Sequence, residues 1–416
     1  MSTAQSNTAP GIARPPRPLR LPPAARPYLP PLALYGAAKL TGLLVFAWLL
    51  TSAGDYRHKD PRFGGGAHWW DVLSTWDGWW YLQVAQKGYH PEALRPLAPG
   101  GQFSAEQNSV AFFPLYPGLV RAVSEITGIG LYGSAILVSV LCSFVAAAGI
   151  HAVVSLLAGA RAGTVAAGLW AVAPAAGVEW AVYTESLFVA IAAWACHAVL
   201  RRRWVAAGLL AFLSGLSRPT AAVLIGAVCL AALVTLLRAD SRRELGVAAP
   251  LYAAVAAPLG LLTYIAWVGW SMGSPGAYFS LQRQAWAHYF DFGAYTLDVL
   301  RNVAVGHGDY LFAYSVPDLI AVQVVVALPF LVALLLRKRP PLVLTAYTLA
   351  SIVTILGTQQ MFGNTPRYLL PVFPLLLAPA AAMARLRWPS LLVFFSTAAV
   401  ASGWYAHYVI FELGIP

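Results

Sequence analysis

The chain contains eleven nearly unbroken apolar stretches, at about 31–52, 131–157, 163–182, 186–200, 204–217, 219–237, 246–270, 316–336, 341–358, 368–384 and 390–410. Most approach the ~20 residues that a helix needs to cross a hydrocarbon core of roughly 30 Å. In lipid every backbone N–H and C=O must find its partner inside the protein, so a spanning segment is either a helix or part of a closed barrel. Barrel strands alternate polar and apolar residues, and these runs do not. The expected fold class is an all-α polytopic membrane protein with about eleven transmembrane helices. Composition agrees: 59% of the 416 residues are hydrophobic and 10% are charged, against about 25% charged in a soluble domain.

The formal net charge of +11 raises the question of nucleic acid. The basic residues, however, sit in short gaps between apolar runs, where they act as topology signals. With the N-terminus in the cytoplasm, Arg161, Arg201-Arg202-Arg203, Arg238 with Arg242-Arg243, Arg337-Lys338-Arg339, and Arg385 with Arg387 all fall inside. The opposite orientation would export nearly all of them. Residues 1–30 carry Arg14, Arg17, Arg20 and Arg26, no acidic residue and many prolines, which predicts a disordered cytoplasmic arm. Residues 31–416 then form one transmembrane domain of a plasma-membrane protein.

Two long outer segments remain, about 53–130 and 271–315, whereas every inner loop is short. Function is therefore expected on the outer face. The fifth run ends at Ser217-Arg218-Pro219, and proline disfavours helix in its predecessor, so runs five and six are expected to form a broken pair. No inverted pair of broken helices in matching halves, the mark of a secondary transporter, is visible. Cys142, Cys196 and Cys229 lie in apolar runs without metal-ligand spacing and read as packing residues. His307 and Asp309 lack the further ligands a metal needs, so no metal and no cofactor is assigned. His151 and His197 fall in spans and read as packing histidines.

The segment STWDGWWYLQVAQKGY, residues 74–89, places Asp77 among Trp76, Trp79, Trp80 and Tyr81 in the first outer loop. As a helix it puts Asp77 on one face with Trp80, Tyr81 and Val84. Trp and Tyr favour the lipid–water interface, which predicts a helix lying in the membrane plane with its carboxylate toward a wet cleft. Ser74-x-x-Asp77 also fits a capping box, so Asp77 reads either as a helix cap or as a functional carboxylate.

Trp76-Asp77 followed by Trp80-Tyr81 and Gly88-Tyr89 resembles the first-loop signature of PIG-V-type mannosyltransferases, membrane enzymes of the GT-C class. Phe112-Phe113-Pro114-Leu115-Tyr116-Pro117, Thr184-Glu185-Ser186-Leu187-Phe188, Ser217-Arg218-Pro219 and Pro366-Arg367-Tyr368-Leu369-Leu370-Pro371-Val372-Phe373-Pro374 follow in the same order. The resemblance covers most of residues 70–375. It implies a GT-C-type bundle that takes mannose from a polyprenyl-phosphate carrier, with an outer-loop aspartate, here Asp77, in the site. The Ala/Gly- and Arg-rich composition suggests a bacterial member. The family's eukaryotic acceptor, a GPI-anchor precursor, is then not implied.

Glycosyl transfer from a lipid phosphate needs a base for the acceptor hydroxyl and cations for the departing phosphate. Asp77 is the candidate base, and a single base attacking opposite the leaving group predicts inversion. Arg367 and Arg218 are the candidate donor-phosphate ligands. Arg218, charged beside a helix break, alternatively pairs with Glu179 or Glu185. Trp76, Trp80, Tyr81, Glu185 and Gln284 are candidate substrate contacts, with Gln282 and Trp286 beside the last, and Glu106 is read as solvated. The expected partners are a lipid-linked sugar donor, a glycan, lipid or protein acceptor, and membrane lipids, with no nucleic acid. Two other readings stay open: a GT-C transferase for arabinose, glucose or aminoarabinose, and a lipid-linked-sugar flippase or transporter.

Overall fold

A computed structural model describes residues 26–94, 102–240 and 246–413. The chain is an all-α polytopic membrane fold, and most apolar runs coincide with helix, although the run at 163–182 leaves the α-helix after Ala171 and the run at 368–384 is interrupted at 369–372. The helices that frame the site are α1 (Leu29–Ala53), α2 (Asp77–Lys87), α3 (Ala105–Ser109), α4 (Leu115–Thr127), α5 (Leu131–Ala158), α6 (Ala160–Ala171), α7 (Glu185–Leu200), α8 (Trp204–Gly215), α9 (Ala221–Leu237) and α10 (Ala248–Ser271). They are followed by α11 (Ala277–Ala285), α12 (Ala294–Val305), α13 (Ser315–Arg337), α14 (Leu342–Leu356), α15 (Thr365–Tyr368), α16 (Leu377–Met383) and α17 (Trp388–Tyr405).

Among the described residues four helices, Arg26–Ala53, Leu131–Ala158, Ala248–Ser271 and Val316–Arg337, are long and apolar enough to span a bilayer alone. Only 22% of the apolar window of Val316–Arg337 is buried within the protein, which leaves its hydrocarbon side chains for lipid. Four shorter apolar helices, α7, α8, α9 and α14, pack among them. Where helices cross closely, small residues permit it, as expected when packing rather than hydrophobic exclusion holds helices together in lipid. A Cβ on Gly260 of α10 would lie 2.0 Å from the Phe212 carbonyl oxygen of α8, and one on Gly403 of α17 would lie 2.4 Å from that of Gly42 in α1.

Several expectations change. Residues 26–30, assigned to a disordered arm, are already helical, and the rest of that arm lies outside the described residues. The helix does break at Ser217-Arg218-Pro219, where α8 ends at Gly215 and α9 begins at Ala221. A further break was not expected: Phe362–Tyr368 and Phe373–Met383 form a bent pair, with a 73° angle between them, where Pro371 and Pro374 interrupt the backbone ladder. The fold also contains one two-residue antiparallel ladder, β1 (Tyr289–Phe290) with β2 (Thr358–Gln359), which ties the second long loop to the segment before the bent pair.

The long loops are structured. α2, α3 and α4 fill the first, α11 and α12 the second. In FFPLYP, Phe112 and Phe113 are buried, and Pro114 is the N-cap residue of α4, which runs on through Pro117. His307 and Asp309 are exposed, and the described residues contain no metal-binding cluster of His, Cys, Asp and Glu. His151 packs edge-on against Tyr28 and His197 against Trp194.

Candidate active site

Three segments distant in sequence converge at the N-terminus of α7. The first is the turn 73–76 leading into α2. Trp76 N–H donates to the Arg62 carbonyl (3.0 Å), Val182 N–H to the Leu73 carbonyl (2.8 Å) and the Tyr183 hydroxyl to the Thr75 carbonyl (2.9 Å). The turn is thus clamped to 60–64 on one side and to 181–183 on the other. Trp76 pays for this tightness with φ 53°, ψ −111°, a left-handed geometry that only glycine adopts freely, while its ring packs on Phe63 at 4.9 Å.

That turn sets Asp77 as the first residue of α2, so the proposed capping box does not form. Trp76 is the N-cap residue and makes no side-chain cap bond, and the Ser74 hydroxyl donates to the Asp71 carbonyl. Behind Asp77, Gly78 lies so close to the 181–183 segment that a Cβ would sit 3.0 Å from the Val182 carbonyl oxygen.

Asp77 meets Arg367, from α15, at 2.5 Å between Oδ2 and Nη2. Arg367 Nε donates to Glu185 Oε1 at 2.8 Å, and Arg218 Nη1 lies 3.3 Å from that same oxygen. Four charges from four parts of the chain, two of each sign, therefore form one neutral cluster. The Arg367 guanidinium lies 4.5 Å from the Tyr183 ring and that of Arg218 5.6 Å from Phe188, faces that suit a weakly hydrated planar cation.

The cluster is graded in exposure. Glu185 is 1% exposed, Arg367 6% and the Arg218 side chain 12%, whereas the Asp77 side chain is 31% exposed. It is also incompletely bonded. Glu185 Oε2, Arg218 Nε and Arg218 Nη1 are buried without a hydrogen-bond partner. Orphaned charged groups of this kind call for a ligand or ordered water.

The alternatives open for Arg218 resolve toward Glu185. Glu179 is engaged elsewhere, accepting from the Tyr35 hydroxyl at 2.7 Å with Lys39 Nζ at 3.4 Å. Trp80 and Tyr81 are buried: Trp80 stacks on Phe112, and the Tyr81 hydroxyl lies 3.3 Å from Thr184 Oγ1. Burial and the nearby Asp77 charge raise the Tyr81 pKa, which keeps it a phenol. Gln284 and Glu106 are exposed, and Gln282 donates to the Tyr278 hydroxyl. Trp286 packs edge-on against Trp80 and Phe112.

Three neighbours of the site escaped the sequence reading. Tyr183 is the ring under Arg367, although it adjoins the quoted Thr184-Glu185 motif. His288 follows Trp286; burial lowers its pKa below the ordinary histidine value, the Asp77 charge opposes that shift and Arg367 reinforces it. Arg62 holds its guanidinium 5.5 Å from the Trp79 ring and 5.4 Å from that of Trp80. Only aromatic neighbours in space could have identified it.

Arg161, Lys338, Arg339 and Arg385, from three of the loops expected to be inner, line one cleft. Glu185 opens α7 and Arg201 follows its last residue, which puts the charge cluster at the opposite end of that helix from Arg201. A narrow slot lies between α1 and α17, with Lys39 on its wall. Neither cavity is lined by a residue of the cluster.

No protein-family model and no curated protein matches the chain. Among solved structures it is similar to ArnT from Cupriavidus metallidurans bound to undecaprenyl phosphate, with a TM-score of 0.49 and 15% identity over 87% of this chain and 62% of that one. It is also similar to the Archaeoglobus fulgidus oligosaccharyltransferase in complex with Zn and sulfate, with a TM-score of 0.46 and 14% identity over 90% of this chain and 52% of that one. The same enzyme tethered to an acceptor peptide gives a TM-score of 0.42 and 12% identity, over 90% and 55%. The chain thus spans less than two thirds of the length of each.

Proposed function

We propose that the chain is a GT-C-type glycosyltransferase that moves mannose from a polyprenyl-phosphate donor to an acceptor hydroxyl at the outer face of a bacterial plasma membrane. The observation that carries this reading is the Asp77–Arg367–Glu185–Arg218 cluster, in which the carboxylate nearest solvent is backed by two arginines. The motifs that resemble those of PIG-V-type enzymes include the segments of Asp77, Glu185 and Arg367, while Ser217-Arg218-Pro219 stands where the resemblance leads one to expect an Arg-Ser-Asn type sequence.

In this mechanism Asp77 Oδ1 receives the acceptor hydroxyl proton; among the described residues no hydrogen bond occupies that oxygen. The hydroxyl oxygen forms the new bond to the anomeric carbon. The bond from that carbon to the phosphate oxygen breaks on the opposite face, giving inversion. The polyprenyl phosphate leaves with the electron pair, and Arg218 with Arg367 offsets its charge. Glu185 orders the arginines, while Trp80 and Tyr81 form the wall behind Asp77 instead of touching the sugar. The lipid tail lies between spans, so no nucleotide pocket is needed.

The test supplies purified protein with polyprenyl-phosphate-[14C]mannose and membrane lipid extract. Wild type should transfer label, and Asp77→Asn should lower the rate by ~100-fold or more, the scale of general-base catalysis. Undiminished transfer by the variant would remove Asp77 as base. Lipid translocation in vesicles with no transfer from any mannosyl donor would favour the flippase.

A further inference from the structure

The two arginines and two carboxylates leave no net charge for an incoming anion. A polyprenyl-phosphate-sugar donor adds one negative charge, so at Arg218 and Arg367 it competes with the carboxylates that already offset those arginines. The geometry distinguishes the two contacts that could yield. Arg367 is held by charge-assisted hydrogen bonds at 2.8 Å to Glu185 and 2.5 Å to Asp77. Arg218 lies 3.3 Å from Glu185 Oε1, and its Nε and Nη1 make no hydrogen bond at all. The Arg218–Glu185 contact is the one lost at least cost.

Glu185 has a use for the freedom it would gain. Its Oε1 is shared between both arginines while its Oε2, equally buried, is unbonded. A carboxylate released from Arg218 can turn both oxygens onto Arg367, the fork-to-fork arrangement that a guanidinium favours. Arg367 then no longer needs Asp77.

We propose that Glu185 is a positioning residue that passes charge between the arginines. A phosphate at Arg218 releases Glu185 to take Arg367, and Asp77 is freed as base only when donor is present. This rests on the glycosyl-transfer reading and explains how a base paired with arginine becomes available. It also gives Glu185 a different task from binding substrate hydroxyls.

The experiment measures binding of undecaprenyl phosphate to the detergent-purified chain by tryptophan fluorescence, for wild type, Glu185→Gln and Glu185→Asp. Turnover of polyprenyl-phosphate-mannose is measured alongside. Glu185→Gln leaves two arginines facing one carboxylate. It should bind the lipid phosphate about tenfold more tightly, since one opposing charge is gone, while kcat falls because nothing draws Arg367 from Asp77. Glu185→Asp keeps the charge and should retain wild-type affinity with partial turnover. A purely structural or hydroxyl-binding Glu185 would instead weaken binding in Glu185→Gln.

Unchanged or weaker lipid-phosphate binding by folded Glu185→Gln, or no binding by wild type, would overturn the proposal. If the glutamine variant does not fold, loss of affinity in Glu185→Asp would do the same. The binding measurement involves no sugar, so tighter binding without transfer by wild type would count against the glycosyl-transfer reading and leave the hand-over standing.

Discussion

Arg367 Nη2 and Asp77 Oδ2 meet at 2.5 Å although 290 positions separate them in the chain. This contact joins the first long loop to the bent helix pair and decides the electrostatics of the candidate site.

Because Arg367 answers two carboxylates at once, its removal leaves buried Glu185 with only the longer Arg218 contact and Asp77 with no ion pair. Arg367→Gln is expected to cost about 3–5 kcal/mol, the range for breaking a buried ion pair by deleting one partner. The double variant Arg367→Gln with Glu185→Gln should recover part of that loss, because one arginine and one carboxylate, Arg218 and Asp77, then remain. Thermal melting of the three proteins in one detergent provides the comparison, and a double variant no more stable than the single one would contradict it.

The close approach of Gly78 to Val182 makes the first turn of α2 sensitive to a single methyl group. Gly78→Ala should push Asp77 away from Arg367, with a stability loss of about 1–3 kcal/mol from overpacking and a larger proportional loss of transfer. Measured kcat with melting temperature separates these effects. Normal transfer by Gly78→Ala would mean that the turn accommodates the methyl group without moving the carboxylate.

Trp76 combines a strained backbone with a useful ring. Trp76→Ala and Trp76→Gly both lose the stacking on Phe63, but only glycine relaxes at φ 53°. The glycine variant is therefore expected to be more stable than the alanine variant by about 1 kcal/mol, the reverse of the usual order. Denaturant or thermal unfolding of the pair checks the sign.

For His288 the folded pKa lies below the ordinary value near 6.5. The folded chain thus holds fewer protons than the unfolded chain between those two values, and stability rises with pH there. The contribution is fully present above the ordinary histidine pKa and is lost as pH falls through the folded value. His288→Gln should flatten the drop in melting temperature between about pH 7 and pH 5. In Asp77→Asn the charge that favours imidazolium is gone, so the histidine should titrate at still lower pH, readable from its imidazole carbon resonances.

Much of the architecture was legible because lipid narrows the choices. A long apolar run is driven to helix there, so most of the eleven runs locate a helix without tertiary information, while 163–182 leaves the helix after Ala171 and the loop helices lie outside the runs. The two long loops, the aspartate among tryptophans, Arg218 and Arg367 were likewise visible in the sequence, since charges next to such runs are rare. The break before Pro219 was legible, whereas the bend at Pro371 and Pro374 was not, because the apolar run across it continues without a gap and only packing shows that it turns.

What the residue pattern could not determine is who pairs with whom. Glu179 and Glu185 were equivalent partners for Arg218 in the sequence; the structure gives Lys39 and Tyr35 to one, and Arg218 with Arg367 to the other. An ion pair depends on where loops from separate helices meet, and neither hydropathy nor spacing encodes that meeting. The sequence by itself determined a helical membrane protein with a carboxylate set in an aromatic loop. Tertiary structure alone brought that carboxylate to Arg367, placed His288 and Tyr183 around it, and left Glu185 and Arg218 with unmet hydrogen-bonding groups.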